Sequence, residues 1–247
     1  MALTDTTYED NSDGLVLGGD TTTASRSYTA GQLVCVLWAT NNSYPGDGTV
    51  SCTNSGAAQT WNDIEEVYVG ESCYIRGWWC VMSTSQSMTI SCASTANNNL
   101  DGVIYTLVHD GQHATTPIPA GKVYSGVDAD GDTNQSITPT ASGSCLWMIA
   151  ADYQPTNSFV AAADCTLHDQ YHIDGQYTVA LIRPTTQPRT DASAFTIGET
   201  DTGAKNSWIA FEVVAAEVAL GEYDPIPIPQ PLPGALGVYR SIRGRIG

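Results

Sequence analysis

The stretch Gly143 to Tyr153 reads Gly-Ser-Cys-Leu-Trp-Met-Ile-Ala-Ala-Asp-Tyr and is apolar without a break from Cys145 to Ala151. Gly143 bounds it on one side, Asp152 and Pro155 on the other. A run this short, without helical spacing, reads as a strand buried on both faces. Comparable runs flank it: Gln32 to Thr40, Ser72 to Met82, Leu100 to Val108, Gln176 to Arg183 and Ser207 to Ala215. Shorter ones lie at Gly14 to Gly18, Thr49 to Thr53, Ile64 to Val69 and Ala194 to Ile197. Gln86 to Cys92 alternates, with Met88 and Ile90 on one face. Residues 110–140 and 154–175 read as polar or Pro- and Gly-rich connections. No amphipathic helix of ten residues and no repeat of fixed period stands out.

This spacing predicts an all-β fold, an antiparallel jelly-roll-like β-sandwich. The 247 residues suffice for one such domain and bury a core without disulfides. We divide the chain into an N-terminal arm (1–13), the sandwich (14–216) and a C-terminal arm (217–247). In that last arm, Tyr223 to Pro233 alternates proline with Ile226, Ile228 and Leu232. Proline fixes φ and removes a donor, so the stretch is extended and unsuited to a central strand. Tyr239, Arg240, Arg243 and Arg245 follow. The apolar residues and the basic end together suggest docking onto a partner surface.

The net charge is −17, with 26 acidic and 9 basic residues. Three of the basic residues are the arginines of the last eight positions, which leaves six against 26 elsewhere, a net of −20. So acidic a body repels nucleic acid and anionic membrane. The N-terminal residues lack the basic start and apolar core of a signal peptide, and nothing approaches a membrane span.

The seven cysteines (Cys35, Cys52, Cys73, Cys80, Cys92, Cys145 and Cys165) include no CxxC pair, which argues against a zinc cluster. Several sit inside apolar runs and read as buried thiols. One or two cross-strand disulfides are the other reading.

Candidate chemistry is sparse. Asp128, Asp130, Asp132 and Asn134 place oxygen ligands at alternate positions, as calcium loops do. The glycine comes at the fourth position and Pro139 stands where a bidentate Glu belongs, so a solvated acidic turn is the competing reading. His168 and His172 are four apart but fall in a connection, without a metalloprotease Glu. Glu65 and Glu66 are neighbours on a strand and point to opposite faces, unlike a glycosidase pair. No nucleophile elbow or phosphate loop occurs, and we expect no enzyme activity. Of six tryptophans, Trp61, in Gln-Thr-Trp-Asn, is the candidate for stacking on a sugar; the rest lie in strand runs.

In order, Gly31 to Val36, Gln59-Thr60-Trp61, Tyr74 to Val81, Ser87 to Ile90, Thr138 to Ser144, Asp174 to Tyr177 and Trp208 to Glu212 resemble the segments of a β-sandwich domain common in tailed-phage virion proteins and related bacterial surface proteins. The resemblance covers roughly residues 14–215. It implies a jelly-roll fold without catalytic residues, in proteins that decorate capsids, form head or tail fibres, or bind glycans. The expectation is a capsid decoration or cement protein, made in the host cytoplasm and resident in the virion. Its partners would be the major capsid protein or other virion subunits. It would form a cyclic homo-oligomer such as a trimer and bind neither nucleic acid nor membrane. Cysteines and a Pro-rich basic arm depart from the family pattern.

Overall fold

The computed structural model describes residues 3–11, 21–40, 49–68, 73–95, 102–128, 133–152, 158–173, 177–200 and 205–216. Residues Met1–Glu217 gather into one compact unit. The C-terminal arm, with Tyr223, Ile226, Ile228, Leu232, Tyr239, Arg240, Arg243 and Arg245, lies outside the described residues.

The described fold is antiparallel β throughout, as expected. Its strands are β1 (Thr4–Asn11), β2 (Thr21–Thr22), β3 (Arg26–Tyr28), β4 (Leu33–Thr40), β5 (Val50–Asn54), β6 (Asn62–Val67), β7 (Tyr74–Val81), β8 (Gln86–Met88), β9 (Ile90–Ser94) and β10 (Gly102–Asp110). There follow β11 (Val123–Asp128), β12 (Thr133–Ile137), β13 (Cys145–Asp152), β14 (Val160–Ala161), β15 (Cys165–Ile173), β16 (Tyr177–Pro184), β17 (Phe195–Thr200) and β18 (Asn206–Val213).

Two five-stranded sheets form the centre, in the orders β1-β10-β4-β7-β6 and β11-β18-β13-β16-β15. Each carries a three-stranded sheet on its outer side, β2-β9-β5 and β12-β17-β14; β3 and β8 add a pair beside the first. The chain therefore builds one topology twice. In each half it alternates between large and small sheet as a jelly roll does. The first strand pairs with the last, and the last with the long apolar strand. Register repeats as well. Thr40 of β4 faces Gly102 and Tyr74, and Asp152 of β13 faces Asn206 and Thr178. Both edge hairpins carry a β-bulge at the same place, where the register shifts across Ile64 in β6 and across His168 in β15.

The apolar runs explain the layering. Strands β4 and β13 are buried along their whole length because both faces meet protein. Leu33, Cys35, Leu37 and Ala39 face Cys145, Trp147, Ile149 and Ala151 across one shared core. Alternate residues point the other way. Val34, Val36 and Trp38 pack with Tyr74, Trp78, Met88 and Ile90 under the first small sheet. Leu146, Met148 and Ala150 pack with Ile137, Ala180 and Ile197 under the second. Three apolar layers thus lie between the two large sheets and between each of them and its small sheet. Hydrogen bonds cross the central one from Ser207 Oγ to the Cys73 carbonyl at 2.7 Å and from Tyr177 Oη to the Ala39 carbonyl at 3.4 Å.

Three sequence expectations change. The N-terminal arm supplies β1, which pairs with β10 along its length. The presumed connection 110–140 contains β11 and β12, and 154–175 contains β14 and β15. These strands are short, polar or at a sheet edge, so they lack the unbroken apolar signature and take their conformation from their neighbours. The expected strand Gly14 to Gly18 lies outside the described residues.

Candidate functional site

The segments singled out by sequence come to rest in different places. Trp61 follows a turn organised by Asn54. The Asn54 side-chain amide donates to the carbonyls of Ser55 and Ala57, at 2.8 and 2.9 Å, and its Oδ1 accepts from Gln59 N–H at 3.1 Å. Gly56, with φ of 77°, lets the chain reverse there. Trp61 Nε1–H donates to the same Oδ1 at 3.3 Å, and its half-buried ring packs against the outer core of the first half. The indole N–H is spent on the turn, and part of one ring edge is left at the surface.

Beyond Trp61 runs the edge strand β6. Arg76 Nη2 donates to Asp63 and Nη1 to Glu66, both at 2.9 Å, and the guanidinium lies 5.2 Å over the Trp78 ring. Burial works against the charge of Arg76, but hydrogen bonds to Asp63 and Tyr74 outweigh it and raise its pKa. Burial, then the nearby charge of Glu66, pushes the Tyr74 phenol above its usual range. Glu65 faces Gly77 and Glu66 faces Arg76, so the adjacent carboxylates serve different neighbours.

Asp128 ends β11 opposite Asn206, and Asn134 lies on β12 opposite Gly198. The loop between them crosses from a large sheet to a small one, and Asp130 and Asp132 lie outside the described residues. Among the described residues no three His, Cys, Asp or Glu side chains converge as metal ligands do. His168 and His172 lie on β15, not in a connection. The bulge turns His168 against Trp147, with ring centroids 5.6 Å apart, and His172 Nδ1 meets Thr178 Oγ1 at 2.8 Å. The two rings serve separate contacts.

Among the described residues a concave site is built in the second half, and no single stretch of sequence signals it. A cavity of about 380 Å³ opens beside the small sheet, lined by Asn134, Ala162, Ala163, Asp164, Ala194, Phe195 and Thr196. Three separated segments meet there. Ala162 to Cys165 form a tight turn, closed by Cys165 N–H to the Ala162 carbonyl at 3.0 Å. Its third position, Asp164, has φ of 63°, a place usually given to glycine or asparagine. The Asp164 carbonyl accepts from Thr185 N–H at 2.8 Å, which holds the strained residue down. Asn134 fits because it lies over Gly198: a Cβ there would meet the Asn134 side chain and the Thr133 carbonyl. Arg189 stacks on Phe195 with its guanidinium 4.5 Å from the ring centroid, and its Nη2 lies 3.5 Å from Asp191.

The cavity therefore offers one carboxylate, one carboxamide, one hydroxyl and one phenyl ring. Such a set can hydrogen-bond adjacent hydroxyls and cover an apolar face. With Asp164 its single carboxylate, it lacks the paired acids of a glycosidase.

Two buried acids, Glu212 and Glu199, are structural, whereas Asp164 is exposed. Glu212 accepts from Thr140 N–H at 2.6 Å and from Thr140 Oγ1 at 2.8 Å, clamping residues 138–144 onto β18. Glu199 Oε1 accepts from Asn206 Nδ2 at 2.8 Å. Among the described residues no helix is long and apolar enough to cross a membrane. No family model, no curated protein and no solved structure matches this chain.

Proposed function

We propose that the chain is a non-enzymatic structural protein of a bacteriophage virion, a capsid decoration or cement protein anchored through residues 217–247. The observation that carries this reading is the architecture: two jelly rolls back to back around one dry core. Groups elsewhere used for chemistry here hold sheets together, as with Glu212 on Thr140 and Arg76 on Asp63 and Glu66. Jelly rolls recur in capsid and lectin domains, an analogy of fold. The Pro-Ile alternation and terminal arginines of the arm suit a segment laid along neighbouring, acidic subunits, where an extended chain buries much surface per residue. The acidic body would face solvent. Partners in this reading are the major capsid protein or other virion subunits, and the protein forms a cyclic homo-oligomer such as a trimer.

The test is co-sedimentation with purified particles lacking this protein. The full chain should pellet with them, and the truncation ending at Ala216 should stay in the supernatant with its sandwich folded. Equal binding by both, or by neither, overturns the anchoring role.

Within the virion class the runner-up is a tail or fibre component; a second reading, a glycan-binding β-sandwich module, is favoured by the cavity at Asn134, Asp164 and Phe195. Binding on a glycan array that Asp164→Asn and Phe195→Ala both abolish supports it; binding that only Trp61→Ala abolishes moves the site to the first half. An array without signal removes this reading.

A further inference from the structure

The first small sheet places Cys52 of β5 directly opposite Cys92 of β9. Opposed residues of an antiparallel pair project to the same face. The ladder around them decides how close they come. Ser55 N–H donates to the Thr89 carbonyl at 3.0 Å, and Thr95 N–H to the Thr49 carbonyl at 3.1 Å. The register makes each of these a directly opposed pair. Bonded and non-bonded pairs alternate along such a ladder, so residues 49, 51, 53 and 55 occupy bonded positions and Cys52 a non-bonded one. There opposed Cα atoms approach to about 4.5 Å, inside the range of about 4.4–6.8 Å that a disulfide spans.

The surroundings give the two thiols different roles. Cys52 is half-buried, and Cys92, beside it on the same face, is buried in the outer core. A third thiol, Cys80, belongs to the same core. Burial pushes it up to about 12, with Cys52 adding a smaller push, but it lies on β7 in a different sheet, whereas Cys92 is the cross-strand partner of Cys52. All seven cysteines are thiols in this structure.

We infer that Cys52 and Cys92 are an oxidation site for low-molecular-weight disulfides, which join them into a cross-strand disulfide. The Cys52 thiol loses its proton to water and its thiolate attacks one sulfur of oxidised glutathione. The glutathione S–S bond breaks, a mixed disulfide forms, and one glutathione thiolate leaves. Cys92 then loses its proton and attacks the Cys52 sulfur, expelling the second glutathione thiolate. Two protein thiols are oxidised, one small disulfide is reduced, and both released thiolates take up the protons. The new bond ties β5, which follows β4, to β9, which precedes β10. It closes the small sheet over Trp38 in an oxidising medium and reopens under cytosolic reductants. This site is independent of the function proposed above.

The full chain incubated with oxidised glutathione should lose two titratable thiols. Non-reducing peptide mapping by mass spectrometry should find a Cys52–Cys92 link. The melting temperature should rise by about 5 °C or more and fall back with dithiothreitol, because the link constrains residues 52–92 in the unfolded chain. Cys52→Ser, a change at a half-buried position, should keep the far-UV circular dichroism and show neither link nor rise. A stable mixed disulfide at Cys52, a link from Cys52 to Cys80 or to a second chain, or no loss of thiols would each overturn the inference.

Discussion

Strand β4 in the first jelly roll and β13 in the second occupy equivalent places, yet their outward residues differ in bulk. Val34, Val36 and Trp38 fill the first outer core; Leu146, Met148 and Ala150 fill the second. Around Trp38 stand Tyr74, at 5.9 Å edge-on, and Trp78, at 6.4 Å. Around Ala150 stand its cross-strand partners Ala180 and Trp208. One frame accepts the large indole on β4 in the first half and on the neighbouring strand β18, as Trp208, in the second, because pairing and register set the backbone, and side chains need only match the remaining volume. Polar anchoring differs too. Where the second half clamps a loop with Glu212, the register of the first puts Val108. At the repeated bulge the first half buries Ile64 and the second sets His168 against Trp147.

The comparison breaks most easily at its largest side chain. Trp38→Ala gives the first half the residue the second carries there and empties a site that is 1% exposed. It also removes the indole donor to Thr21 Oγ1. Denaturant unfolding should show a loss of about 3–5 kcal/mol. A loss under about 1 kcal/mol would mean that the first small sheet closes down to the tighter packing of the second.

Glu212→Val makes the converse exchange. It strands the Thr140 N–H and hydroxyl, for an expected loss of about 1.5–3 kcal/mol. Amide exchange at Thr140 should accelerate well before the central strands open. Unchanged exchange would show that residues 138–144 are held by their backbone contacts alone.

Exposed polar clusters should matter least in both halves. Arg76→Met removes ion pairs to side chains that are 65% and 42% exposed, Asp63 and Glu66. The cost should stay below about 1 kcal/mol and shrink in high salt. In the second half, hydrogen bonds from Ser193 hold the Asp191 carboxyl below its usual range. A lowered folded-state pKa stabilises above the ordinary carboxylate range and is lost as pH falls through the lowered value. The stability gap between wild type and Asp191→Asn should therefore be small at neutral pH and vanish in acid. A gap that grows in acid would reverse the sign argued here.

The legible part of this fold follows a simple division. Strands β4, β7, β10, β13, β16 and β18 stand inside both central sheets, and their apolar runs announce them. β15, with His168, Asp169 and Gln170, lies at a sheet edge, where polar residues are tolerated and even useful. Periodicity missed it for that reason, and missed β11 and β12 likewise. The cavity was out of reach because Asn134, Asp164 and Phe195 come from three segments, and only Asn134 belongs to a motif, the candidate calcium loop, which points to other partners. Asp164 alone left a trace, a polar residue after three alanines, and its positive φ cannot be read from composition.

The sequence by itself determined that this is an all-β protein of stacked layers, because burial on two faces demands unbroken apolar strands. It also determined an acidic body and a proline-spaced apolar and basic tail. Only the tertiary structure decided that the layers are one jelly roll built twice, that Cys52 faces Cys92, and that a cavity opens at Asp164. Those are properties of pairing and register, set between residues far apart in the chain, and many different side chains satisfy the same pairing.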